Sequence, residues 1–179
     1  MDFLDILNQK AFLGREFLTW LWFRSIRDGG AIGTRSGKTI EIIFLDRMTL
    51  DLSDEESAQT VTIKGERSEL REGIAALKEG KKIEEARISV RVADDAFTTT
   101  LKAAWFAYGS FRVPPVLPSS QNETEEDTEA AFLEKVYLIE QGVAAIDSLY
   151  ETFIHLRLTD DWEAREVPAI REWIIKQSP

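Results

Sequence analysis

Apolar and polar positions follow two rhythms along this chain, and each change of rhythm marks an element. From Leu13 to Arg27 the spacing is helical: Leu13, Phe17, Trp20 and Leu21 fall on one stripe with Arg24. Leu18, Trp22 and Phe23 widen that stripe almost all round, which predicts a helix buried in the core or at an interface. Ahead of it, Met1 to Gln9 predicts a short helix of its own, with Phe3, Leu4, Ile6 and Leu7 apolar. The rhythm then becomes that of strands. Thr39 to Leu45 and Met48 to Leu52 flank Asp46-Arg47 and predict a hairpin, and Gln59 to Lys64 (QTVTIK) alternates as a third strand. Ser68 to Glu79 predicts a helix with Ser68 as its N-cap and Gly80 as its stop. Ile83 to Ala93 and Ala96 to Ala103 predict a second hairpin turning at Asp94-Asp95, and Pro114, Pro115 and Pro118 end the sheet region.

The polar, acidic run Ser119 to Glu129 predicts a loop whose carboxylates sit where the N-terminal dipole of the next helix favours negative charge. In that helix Phe132, Val136, Ile139, Val143, Ile146, Tyr150 and Phe153 step alternately by four and three, a heptad seam. Leu133, Tyr137, Leu149 and Ile154 broaden the seam, so part of the helix is expected to pack on the sheet. A last short helix ends near Ile175, with Thr159 or Asp160 as N-cap and Pro168 in its first turn. The pattern as a whole predicts one α+β domain over residues 1–179. An antiparallel sheet of about five strands would pack against the aromatic N-terminal helix and the long C-terminal helix.

Composition narrows the class. The chain has 179 residues, 44% of them hydrophobic and 30% charged, which suits a globular domain with a sizeable core. The opening MDFLDILNQK lacks a basic region and a long apolar run, and Phe17 to Phe23 is too short to cross a bilayer. A cytoplasmic location is therefore expected, and no membrane partner. A formal charge of −10 argues against a protein whose whole surface coats nucleic acid, though not against a local basic patch.

Candidate chemistry is sparse. Gly33-Thr-Arg-Ser-Gly37-Lys38-Thr39 resembles a phosphate-binding loop, but its spacing is one residue short. It also opens the β-branched run TIEIIFL rather than a helix, so a Gly-rich connection carrying the basic Arg35 and Lys38 is the better reading. Cysteine is absent and His155 is the single histidine, which excludes thiolate and multi-histidine metal sites and leaves His155 a surface or packing residue. Glu84, Glu85, Asp94, Asp95, Glu123, Glu125, Glu126 and Asp127 read as solvated acids rather than a magnesium site. No metal, cofactor or catalytic residue is predicted, and a carboxylate-and-magnesium hydrolase is the weakest of three readings.

The other two are binding functions. Along the strand from Ile83, Arg87, Ser89 and Arg91 share one face, and Thr98, Thr100 and Lys102 share a face of the next strand. With Lys81 and Lys82 just ahead, these residues are candidates for contacting a phosphate backbone without reading bases. Double-stranded DNA is then the candidate partner. Alternatively the chain is an adaptor or oligomerisation module without a nucleic-acid role, pairing with a second copy or a partner helix. Its candidate contacts are Phe17, Trp20 and Trp22 in the aromatic helix and Val136, Val143 and Tyr150 in the heptad seam. Trp20, Trp22, Trp105, Trp162 and Trp173 have rings that could stack on bases, but Trp20 and Trp22 are helical and flanked by apolar residues, so packing in the core or at an interface is expected of those two.

The string FLGREFLTWLWFRS, Phe12 to Ser25, resembles a segment of some bacterial members of the recombination-associated RdgC family. ALKEGKKIEEARISV (Ala76 to Val90), FTTTLKA (Phe97 to Ala103) and the long helix from Glu129 are similar in order to later family features. The resemblance spans Phe12 to Trp173 and corresponds to the C-terminal part of the longer family members. It implies a non-enzymatic, nucleoid-associated protein that binds duplex DNA with little sequence preference, forms ring-like dimers and restrains strand exchange. No family contact residue is carried onto this chain. The candidates remain Arg35, Lys38, Lys81, Lys82, Arg87, Arg91 and Lys102.

Overall fold

The computed structural model describes residues 3–51, 61–64, 70–103, 107–116 and 125–176. Its first element is one helix, α1 (Phe3–Arg27), where two were expected. Lys10 and Ala11, between the predicted pair, are good helix formers and nothing there stops a helix. Gly29-Gly30 follow its end, and β1 (Ala31–Gly33) then turns back into β2 (Thr39–Asp51). The hairpin predicted at Asp46-Arg47 is absent, because β2 runs straight through it. β2 pairs with β4 (Lys82–Val92) on both sides of an irregularity between Phe44 and Met48. There Leu45, Asp46 and Arg47 stand against Arg87 alone, a bulge-like irregularity that absorbs the extra residues while Ile42, Met48 and Leu50 all stay buried.

β3 (Val61–Lys64) pairs with the same edge of β2 as β1 does. α2 (Leu70–Lys78) follows; Gln59, Thr60 and the predicted N-cap Ser68 lie outside the described residues. β4 returns through Ala93-Asp94, one residue earlier than expected, into β5 (Asp95–Lys102). β6 (Ala107–Arg112) was not foreseen, since Gly109 and Ser110 dilute its pattern. Among the described residues the sheet has six strands in the order β1-β2-β4-β5-β6, with β3 beside β2, and every pairing is antiparallel. α3 (Glu125–Arg157) is 33 residues and therefore about 50 Å long. It begins inside the predicted acidic loop, of which 119–124 lie outside the described residues. A π-helical turn (Trp162–Glu166) leads directly into α4 (Val167–Lys176).

Alternation assigns the faces of the sheet. Ile40, Ile42, Ala86, Ile88, Val90, Phe97, Thr99 and Leu101 are buried on the helix side. Their neighbours Glu41, Arg87, Ser89, Arg91, Thr98, Thr100 and Lys102 line the other side, exposed or half-buried. α1 and α3 pack on the first side, and aromatic rings join them. Phe17 stands edge-on to Tyr150 at 5.2 Å and lies 5.5 Å from Phe153, while Trp22 meets Trp173 of α4 edge-on at 5.2 Å. Each such pair contributes roughly 0.5–1.5 kcal/mol beyond its buried area. Burial also holds the Tyr150 phenol above its ordinary pKa.

Gly14 lies where α1 crosses the end of β5. A Cβ there would overlap the Ala103 carbonyl oxygen and come within 2.8 Å of the Ala103 Cα. Alanine is better than glycine in a helix by about 1 kcal/mol, yet here the backbone clash outweighs it. Gly14→Ala is expected to lower stability by about 1–3 kcal/mol in denaturant unfolding; an unchanged or raised midpoint would contradict this packing.

Candidate functional site

The open sheet face brings together three of the predicted cations. The register sets Arg91 opposite Glu41, and Glu85 opposite both Thr49 and Lys102. Arg87, Arg91 and Lys102 therefore project from one surface, as the alternation required. Each of them meets a carboxylate from a neighbouring strand. Arg87 Nη1 lies 3.1 Å from Asp46 Oδ1, and Arg91 Nη1 lies 3.2 Å from Glu41 Oε2. Glu85 sits between Lys102 and Arg47, 3.6 Å from each. Arg112, on β6 opposite Thr98, extends the row and has no ion-pair partner among the described residues.

Such exposed pairs add little stability, about 0–1 kcal/mol each. Their effect on a polyanion is larger. A phosphate reaching Arg87 also nears Asp46, and two unit charges 4 Å apart in water repel by about 1 kcal/mol, which offsets a similar attraction. The face is a mosaic of both signs rather than a basic groove.

The remaining predicted cations lie elsewhere. Arg35 and Lys38 are on the turn between β1 and β2, where Arg35 reaches Glu151 of α3 at 3.5 Å. Lys81 is buried at the end of α2 and pairs with Glu79 at 3.2 Å. Lys82 points to the helix side, toward α1 and α4. The seven candidates thus divide among four places.

The Gly-rich turn is no phosphate cradle. Its amides are engaged within the chain: Thr34 N–H donates to the Lys38 carbonyl at 2.8 Å and Gly37 N–H to that of Thr34 at 3.0 Å. Arg35 N–H donates to Thr152 Oγ1 at 3.2 Å. Gly37 has φ +78°, the left-handed backbone that lets the turn close. His155 is exposed on the last turn of α3. Among the described residues no group of three or more His, Asp and Glu could hold a metal ion, and no helix is long and apolar enough to cross a membrane.

The predicted partner contacts separate in the same way. Phe17, Trp20 and Trp22 are at most 1% exposed and belong to the core, so they cannot meet a partner. Trp162 and Trp173 are also core, and Trp105 lies outside the described residues. Tyr150 packs its ring on Phe17, so the second half of the heptad seam is intramolecular; Val143 and Val136 are half-buried. The first half differs. Phe132, Leu133, Tyr137 and Ile139 are 62%, 58%, 58% and 40% exposed, and Leu138 is the first buried residue among the described side chains of the helix. Phe132 and Ile139 were legible as seam positions, but only packing shows that the seam is uncovered there.

Compared with known proteins, the chain matches no family model, no curated protein and no solved structure.

If carboxylates hold the sheet face near neutrality, removing them should create an anion-binding surface. The triple substitution Glu41→Gln, Asp46→Asn, Glu85→Gln is expected to bind duplex DNA at low salt roughly tenfold or more tighter than the natural chain, with a steep salt dependence. Equal affinity in an anisotropy titration would show that these pairs do not set the field of the face.

Proposed function

We propose that this chain is a protein-interaction module whose docking element is the first half of α3, and that its partner presents a basic amphipathic helix. The observation that carries this reading is the exposure of Phe132, Leu133, Tyr137 and Ile139 within about two turns of one helix. Scattered surface leucines need no explanation, but a contiguous apolar patch of this kind marks an interaction site. Phe132, Val136 and Ile139 keep the four-then-three spacing that a helix reads in another helix.

Charge selects the partner. Among the described side chains of this part of α3, Glu129, Glu134 and Glu140 are exposed beside the band, against Lys135 alone. A second copy of the chain would set these acids against their own equivalents, a repulsive juxtaposition. Lysines or arginines beside an apolar stripe would complement them.

DNA association, the reading implied by the resemblance to RdgC proteins, is the second. It is favoured by the common orientation of Arg87, Arg91, Lys102 and Arg112, and weakened by the carboxylates beside the first three.

A labelled lysine–leucine amphipathic peptide tests the first reading, with a glutamate–leucine twin as control. The basic peptide is expected to bind, and the acidic one to bind roughly tenfold more weakly or worse. Phe132→Asp removes about 2 kcal/mol of apolar contact, a loss of roughly 30-fold in affinity, with thermal stability kept because the site is exposed. Unchanged affinity in Phe132→Asp, or equal binding of the two peptides, would refute the reading. A concentration-dependent dimer abolished by the same substitution would replace the basic partner with a second copy. DNA binding lost in Arg87→Ala/Arg91→Ala would favour the second reading.

A further inference from the structure

A cavity of about 260 Å³ lies between α1 and α4. Its apolar wall is Trp162, Val167 and Ile170, contributed by the π-helical turn and the start of α4. Two cations also line it: Lys82 at the start of β4, half-buried, and Arg171 on α4. Neither has an ion-pair partner among the described residues. This sets them apart from the other charges of the same cavity. Arg15 is held by Glu84, and Glu16 accepts from Arg157 at 2.8 Å. Arg157 in turn covers the Trp162 ring at 5.6 Å, which fixes that wall.

A half-buried ammonium without a counter-ion is costly unless an anion completes it. The apolar wall beside it favours an anion with an apolar body. An engineered cavity of roughly 150 Å³ suffices for benzene, so this volume suits a ligand of about two fused rings or a short aliphatic chain. A π-turn forms one side of the cavity, and such turns recur at functional sites because the extra residue redirects the side chains that follow.

We propose that this cavity binds a small apolar monocarboxylate, an aromatic or short-chain aliphatic acid. Lys82 and Arg171 hold the carboxylate, and Trp162, Val167 and Ile170 pack against the body. The site shares no residue with the docking band of α3, so either assignment stands without the other.

Naphthalene-2-carboxylate is the probe, titrated against the full chain by calorimetry and by the NMR shift of the Trp162 indole. Its neutral analogue, 2-naphthamide, has nearly the same shape. The acid is expected to bind saturably and to move the Trp162 resonance, with the amide weaker by roughly tenfold or more. Lys82→Met and Arg171→Gln should each weaken the acid by roughly tenfold while leaving the amide unchanged. Lys176→Gln, at an exposed pair elsewhere on α4, should change neither. The proposal fails if the acid shows no saturable binding at millimolar concentration, if the amide binds equally well, or if both cavity variants keep the natural affinity. Arg171 is exposed, so its variant folds and keeps the test decisive even if Lys82→Met does not.

Discussion

The burial of the Phe17–Phe23 stretch of α1 on nearly all its sides is the constraint from which the rest of the architecture follows. Phe17, Leu18, Trp20, Leu21, Trp22 and Phe23 are each 2% exposed or less, leaving only Thr19 half-buried in that stretch. A stretch of helix buried almost all round needs cover from several directions at once. The sheet supplies one side; α3, through Tyr150 and Phe153, and α4, through Trp173, supply the others. Large rings serve here because each buries about 150–250 Å² and tolerates edge-on or tilted contact. Charged residues at the margins then fix the arrangement. Arg15 reaches Glu84 on β4, Glu16 reaches Arg157 on α3, and Arg24 reaches Glu166 in the π-helical turn at 3.2 Å. Each pair joins α1 to a different neighbour.

Placing every large helix on one side leaves the opposite face of the sheet to water. An antiparallel sheet accepts this when its outward positions are polar. Here they are also charged, and antiparallel pairing sets residues from distant parts of the chain directly opposite one another. The carboxylates of β2 and β4 therefore neutralise the arginines and the lysine that alternation had gathered. Cross-strand pairing that suits the isolated fold thus reduces its attraction for a polyanion.

α3 divides its length between two tasks. From Leu138 onward its apolar positions are spent on the core: Gly142 lets Phe111 and Phe97 approach closely, and Ile146, Leu149 and Phe153 are buried. Before Leu138 the same periodicity continues without a surface to meet. Seven-residue spacing specifies which side of a helix is apolar, not what covers it. A continuous seam can therefore serve as core at one end and as a docking surface at the other.

The order of rhythms determined the fold class. Amphipathic and alternating periods are written in consecutive residues, so α1, β4, β5 and α3 were legible, together with the faces of Arg87, Arg91 and Lys102. Where elements joined was less legible: Asp46-Arg47 has the polarity of a turn, and only the long partner strand β4 keeps β2 continuous through it. β6 escaped because Gly109 and Ser110 hide its alternation, and it exists by pairing with β5. Tertiary structure alone decided the partners of the charges. Glu41 and Asp46 lie 50 and 41 residues from the arginines they meet, and a sequence fixes each charge without fixing its neighbours. It likewise decided that Trp20 and Trp22 are core while Phe132 and Tyr137 are surface, because the amount of cover available depends on where the sheet ends.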